Sequence, residues 1–162
     1  MKILITGGNG KLATQLKKYI QGDFLGKEIL NLNKLDDIAK LKSYDIVIHT
    51  AKGNIDISLN FETLIKQTNP KKIFAFTSRQ GTYMNWKKNE NIEYGLEKLI
   101  LNFIVYRHNI DCKNAILIEP GHMADNNDYI NAAKLFYEIF CNDLIFKKNM
   151  IYDLIAKKYI PY

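Results

Sequence analysis

Five short apolar runs punctuate this chain, and they constrain its fold more than any other feature. They are "KILIT" (2–6), "EILNL" (28–32), "DIVIHTA" (45–51), "KIFAFTS" (72–78) and "NAILIEPG" (114–121). Most carry no polar alternation, so a strand built from such a run must be covered on both faces. Between them lie stretches with helical spacing: 11–20, a short helix or turn at 36–43, 60–69 stopping before Pro70, 92–109 and 128–142. A weaker helical pattern runs over 146–162. Strands alternating with helices predict an α/β fold, a three-layer parallel sheet with helices on each side. No repeat, low-complexity segment or long linker divides the chain, so residues 1–162 are expected to form one domain.

Charge narrows the function classes. The net charge is +6, and Arg79 and Arg107 are the only arginines among the basic residues. The lysines are scattered instead of clustered with arginine and aromatics, which argues against a nucleic-acid surface. No apolar run reaches the roughly 18 residues of a membrane span, and no signal-peptide pattern opens the chain. Cys112 and Cys141 have no metal spacing, and no metal site is expected. A cytoplasmic protein acting on a small molecule is the expectation.

The loop after the first run is the strongest local motif. Gly7-Gly8-Asn9-Gly10 joins an apolar strand to the helical stretch beginning Lys11-Leu12, in the spacing Gly7-x-x-Gly10-x-x-Ala13. Glycines let a backbone approach phosphates, and a helix start offers unpaired N–H groups, so this setting suits a dinucleotide pyrophosphate. After the second run, the residues expected to select the cofactor are Asn33 and Lys34. An acidic side chain there would favour ribose hydroxyls over a 2′-phosphate. Lys34, with Lys11, tilts the expectation towards NADP over NAD.

Two Tyr-x-x-x-Lys matches are present, Tyr83 to Lys87 and Tyr94 to Lys98. Tyr94 and Lys98 open the long helix, where i, i+4 spacing puts both on one face. Tyr83 lies in a polar loop where that spacing fixes nothing. Ser78 ends the fourth run, sixteen residues before Tyr94, and Thr77 is its fallback. A phenol is a poor acid at neutral pH, and a neighbouring ammonium would lower its pKa.

Together these residues resemble the short-chain dehydrogenase/reductase superfamily, and the N-terminal half resembles its dTDP-4-dehydrorhamnose reductase branch. "MKILITGGNGKLATQL" is similar to the branch's T-G-x-x-G-x-x-[G/A] opening, and "YGLEKL" to its Y-G-x-x-K. The resemblance implies an NAD(P)-dependent oxidoreductase. It places Ser78, Tyr94 and Lys98 in catalysis, Tyr94 as proton donor, with Lys98 also holding the nicotinamide ribose. Gly7, Gly8, Asn9, Gly10, Lys11 and Leu12 would take the pyrophosphate. Asp37 and Ile38 would flank the adenine, while Thr50, Ala51, Lys52, Pro120 and Gly121 would line the cofactor. No Asn is assignable to the family's proton relay, although Asn54 and Asn60 lie near. The family usually runs longer, so a truncated member with little substrate lobe is expected. A cofactor-binding sensor without turnover and a sugar-nucleotide epimerase or dehydratase remain alternatives. His49 reads as a buried structural residue and His122 as a solvated one. The family's paired helices imply a homodimer through 92–109 and 128–142, the latter offering Leu135, Phe136, Ile139 and Phe140. Alternatively, the tail from Ile145 to Ile155 folds back over that face.

Overall fold

In a computed structural model, which describes residues 1–77 and 92–161, the apolar runs build one seven-stranded sheet. The elements are β1 (Ile3–Thr6), α1 (Lys11–Leu16), β2 (Asp23–Leu25), α2 (Leu35–Ala39), β3 (Ile46–His49), α3 (Ile55–Leu59) and α4 (Phe61–Thr68). They continue as β4 (Lys72–Phe76), α5 (Ile92–Cys112), β5 (Ala115–Glu119), α6 (Asn126–Cys141), β6 (Met150–Asp153) and β7 (Lys158–Pro161). The strand order is β2-β1-β3-β4-β5-β6-β7. Neighbours are parallel throughout except β6 and β7.

The strands are apolar on both faces because both are covered. Ile3, Ile5, Ile46, Ile48, Phe74, Phe76, Ile116 and Ile118 point to one side, against Leu12, Ala13 and Leu16 of α1 and Ala132, Ala133 and Phe136 of α6. The alternate residues Leu4, Val47, Ile73, Ala75, Ala115 and Leu117 point to the other. There they meet Ile38 of α2, Ile57 of α3, Phe61 and Leu64 of α4, and Leu101 and Val105 of α5. This strict period of two is what a buried parallel sheet demands.

Two expected elements differ. The run 28–32 is a loop, and the second strand is Asp23–Leu25. Leu30 and Leu32 are buried, which gave the run its strand-like pattern, but their backbone is held by other means. The Gly26 carbonyl accepts the N–H groups of Ile29 and Leu30. Asp37 Oδ2 accepts the N–H of Asn31 at 2.9 Å, and Asn60 donates to the Leu32 carbonyl at 2.8 Å. The tail expected to be helical over 146–162 is not so in its described part, 146–161: it contains the β6–β7 hairpin, which extends the sheet. Asn109 of α5 anchors its entry, donating to the carbonyls of Ala115 and Lys147 and accepting from the N–H of Asn149. Phe146, Tyr152 and Leu154 of the tail share a core with Phe136 and Phe140 of α6. Of the α6 residues expected at a dimer contact, Phe136 is buried in this core, while Leu135, Ile139 and Phe140 pack against it and stay partly exposed.

Candidate functional site

From β1 the chain crosses to β2 on one side and then returns, through α2, to β3 on the other. The carboxyl ends of β1 and β3 thus flank a topological switch point, where open α/β sheets form their ligand crevice. The glycine loop leaves β1 there. Gly7 has φ +66°, a left-handed conformation that favours glycine, and a Cβ on it would lie 2.8 Å from Ala51 Cα. Thr50 Oγ1 donates to the Thr6 carbonyl at 2.7 Å, tying the loop after β3 to β1. Gly8 does different work from the one its motif suggests. It is buried, its N–H donates to the Leu25 carbonyl at 3.0 Å, and a Cβ would sit 2.5 Å from the Phe24 carbonyl carbon. The missing side chain lets β2 close on the loop. Gly10 N–H is likewise spent on the Gly7 carbonyl. An α-helix leaves its first amides without intrahelical acceptors, so those of Lys11 and Leu12 are donors a phosphate would meet.

The second strand ends at Leu25, so the residues that follow it are Gly26-Lys27-Glu28, whereas Asn33 and Lys34 lie in the next loop and at the start of α2. Glu28 Oε2 accepts from Asn9 Nδ2 at 2.8 Å, so an acid does touch the glycine loop. The two residues expected to flank the adenine lie on α2. Ile38 is 0% exposed and packs in the core, and the Asp37 carboxylate is engaged by Asn31.

Across the crevice, α5 presents Tyr94 and Lys98 one turn apart, with Lys98 Nζ 5.7 Å from the Tyr94 ring centroid. Lys98 is buried and Tyr94 half-buried. Other elements converge on them. Lys11 at the start of α1 stands 5.7 Å over the ring of Tyr129 on α6. Tyr129 and Glu119, at the end of β5, both act electrostatically on Tyr94, and His49, at the end of β3, feels the Lys98 ammonium. Pro120 and Gly121 follow β5, and Gly121 lies against Ile155 of the hairpin turn. Ser78, Tyr83 and Lys87 lie outside the described residues. Thr77, the fallback for Ser78, is buried and donates to Asn102 of α5, so its hydroxyl belongs to the core.

The electrostatics differ from expectation in one respect. Burial pushes the Tyr94 phenol up from its ordinary value, and Glu97, Tyr129 and Glu119 push the same way. Lys98 meets the ring face in place of lowering that pKa. Lys98 is itself pushed down by burial. Sequence reasoning missed Glu97, Glu119 and Tyr129. Glu97 stands inside the Tyr-Gly-Leu-Glu-Lys motif, but nothing in helical spacing says that a charged residue there turns inwards.

His49 is fully buried. Its Nδ1 shares a 2.8 Å hydrogen bond with Thr6 Oγ1, and its ring lies 4.2 Å from that of Phe61. Burial first, then the Lys98 ammonium, pushes its pKa down to about 3. In the unfolded chain it titrates near 6.5, so its contribution to stability is complete above about pH 6.5 and is lost as the pH falls towards 3. Urea unfolding between pH 7 and 5 is expected to show a loss of about 2 kcal/mol from this group. His49→Asn is expected to remove that part of the slope; equal slopes in the two proteins would contradict it.

No family model matches the chain. It is 31% identical over 109 residues to a short-chain dehydrogenase/reductase, iacC, of Pestalotiopsis fici, covering 65% of this chain and 37% of that protein. The chain therefore spans little more than a third of that curated relative. The solved protein lin1944 of Listeria innocua superposes with a TM-score of 0.65 at 11% identity, over 91% of this chain and 95% of that one. The GDP-mannoheptose C4 reductase MlghC of Campylobacter jejuni, solved with NADP bound, superposes with a TM-score of 0.57 at 18% identity, over 73% of this chain and 50% of that one. These likenesses establish a Rossmann-like fold.

Proposed function

We propose that the chain is a member of the short-chain dehydrogenase/reductase superfamily and, on that reading, an NAD(P)-dependent oxidoreductase acting on a carbonyl or its alcohol; its 31% identity over 109 residues to a short-chain dehydrogenase/reductase supports this. One observation carries the activity: Tyr94 and Lys98 share a face of α5 beside the β1/β3 crevice, with the ammonium 5.7 Å from the ring centroid. The residues present fit a dinucleotide. The switch point, the glycine loop and the cations Lys11, Lys52 and Lys98 offer a phosphate and ribose site at the expected edge of the sheet. When bound, the dinucleotide supplies or takes the hydride.

The chain's own residues handle the proton. A carbonyl oxygen that gains negative charge needs a proton, and the Tyr94 O–H is the donor. Its raised pKa keeps it protonated through neutral pH, which suits the reductive direction. Lys98 holds the nicotinamide ribose and faces the Tyr94 ring. By resemblance, Ser78 donates to the substrate oxygen. Gly7, Asn9, Gly10, Lys11 and Leu12 cradle the pyrophosphate, with Gly8 closing the loop on β2. Thr50, Ala51, Lys52, Pro120 and Gly121 border the cofactor. NADP(H) is the favoured dinucleotide. Lys27 follows β2 where Lys34 was expected, Asn9 already engages Glu28, and MlghC carries NADP. Supplying NADPH with a panel of small carbonyls and keto-sugars is expected to give cofactor oxidation. Tight NADPH binding with no oxidation of any of them would instead support a sensor.

We take residues 1–162 as one dinucleotide-binding domain that pairs with a second copy. Among the described residues, α5 exposes Leu99 at 52% and Phe103 at 66%, one turn apart on the same stripe. The pairing then uses this stripe of α5, and Phe136 of α6, buried in the core, takes no part in it. Phe103→Asp is expected to convert a dimer to a monomer in light scattering. A wild type that is already monomeric at micromolar concentration would rule the pairing out. No helix among the described residues is long and apolar enough to cross a membrane. The two exposed free cysteines, Cys112 and Cys141, suit a reducing compartment, and we place the protein in the cytoplasm.

A further inference from the structure

Lys11 follows the glycine loop directly, and among the described residues it forms no ion pair. Its own helix, α1, carries no acid. The acids of α6, which packs beside α1, are committed elsewhere. Asp128 accepts the N–H groups of Ala124 at 2.8 Å and Asp125 at 3.1 Å, and Glu138 pairs with Lys157 at 3.7 Å. Glu28, the acid that touches the glycine loop, accepts from Asn9. What Lys11 meets is an aromatic face: its Nζ lies 5.7 Å from the centroid of the Tyr129 ring. That ring is itself held in place. It is half-buried and packs against the core that Leu12, Ala13 and Leu16 of α1 share with Ala132, Ala133 and Phe136 of α6. The capping box of Asp125 and Asp128 fixes the turn of α6 that carries it.

We propose that Tyr129 is a positioning residue for the dinucleotide site: its ring face holds the Lys11 ammonium beside the glycine loop, in place for a phosphate of the dinucleotide. This rests on the dinucleotide reading above. An exposed lysine has a long flexible stem, and fixing it on binding costs rotamer entropy. A fixed ring under the ammonium removes part of that freedom before the ligand arrives, so less is lost when it binds. The type of partner matters as much as its place. A carboxylate would hold Lys11 too, but it would cancel the positive charge and repel the phosphate. A ring attracts the cation through its quadrupole and carries no charge. The three ammonium donors stay available for phosphate oxygens.

NADPH dissociation constants and steady-state kinetics test this. Tyr129→Leu keeps an apolar side chain against the core and removes the ring face. It is expected to weaken NADPH about fourfold and to raise KM for NADPH by the same factor, with kcat changed less than about twofold. Tyr129→Phe keeps the face and is expected to bind NADPH as the wild type does. Lys11→Met removes the charge and is expected to weaken NADPH about tenfold or more. Adding Tyr129→Leu to Lys11→Met is expected to have no further effect, because the ring acts through the ammonium. A loss that persists in the Lys11→Met background, or that Tyr129→Phe shares, overturns the proposal, as does wild-type affinity in Tyr129→Leu. The wild type gives a measurement that needs no variant to fold. In lysine-labelled protein the Lys11 ε-methylene protons should be displaced from ordinary lysine shifts by the ring current, and should move again as NADPH is added. Ordinary shifts there overturn the proposal. Its failure is distinguishable from that of the dinucleotide reading. Tight NADPH binding that Tyr129→Leu leaves unchanged removes the role of Tyr129 alone. A wild type that binds no NADPH removes the dinucleotide site, and this role with it.

Discussion

Replacing Tyr94 by Phe is expected to lower carbonyl reduction about 10³-fold, the usual contribution of a positioned general acid, while leaving NADPH affinity within a factor of about three. That loss is about 4 kcal/mol of transition-state stabilisation. The substitution removes only the hydroxyl, so the ring stays under the Lys98 ammonium and the helix keeps its packing. The direction of the Tyr94 shift adds a pH signature. A phenol held above its ordinary value donates its proton across neutral pH, and reduction is lost only as the pH rises through that raised value. Oxidation of the alcohol needs the phenolate and should climb steadily with pH. Steady-state rates in both directions from pH 6 to 10 test this. A wild-type oxidation rate that is flat across that range would show the phenolate already formed at neutral pH. Comparable activity in Tyr94→Phe would remove the residue from the chemistry altogether.

Gly8→Ala is the second large effect, and it acts through the fold. The added methyl would meet backbone atoms of Phe24 and Leu25, at 2.5 Å and 2.7 Å, and backbone cannot turn aside as a flexible side chain can. Either β2 leaves the sheet edge or the glycine loop shifts, and the Gly8–Leu25 hydrogen bond is lost in both cases. Overpacking of this kind costs about 3 kcal/mol, a fall in Tm of about 10 °C for a chain of this size. Calorimetry measures it directly. Wild-type Tm in Gly8→Ala would mean that the close approach of β2 to the loop is not needed for the native state.

The central sheet was legible in the sequence because burial on both faces leaves a composition that helices and loops do not share. β1, β3, β4 and β5 appear where unbroken apolar runs predict them, and Pro70 marks the end of α4. The edges were not legible. β2 has only the three residues Asp23-Phe24-Leu25, too few to show a period, while Leu30 and Leu32 imitate a strand from within a loop pinned by Asp37 and Asn60. The β6–β7 hairpin carries enough apolar residues for a helix, and what places it is long-range, from Asn109 to Lys147 and Asn149. The site divides in the same way. The Tyr94–Lys98 spacing reads directly from helix geometry. The burial of Glu97, the engagement of Asn9 by Glu28 and the use of Thr77 by Asn102 depend on elements distant in sequence. The reading of Asn33 and Lys34 rested on a second strand at 28–32, whereas the strand lies at Asp23–Leu25.

An amide-resolved NMR titration with NADPH tests the central claim most directly. Saturable shifts are expected at residues 7–12, at 50–53 and at the start of α5, with a Kd between about 1 μM and 1 mM, the range in which enzymes hold such ligands. Shifts confined to the amino-terminal end of the strands, around Lys71 and Asp143, or no shifts at millimolar NADPH, would contradict a dinucleotide at the β1/β3 crevice.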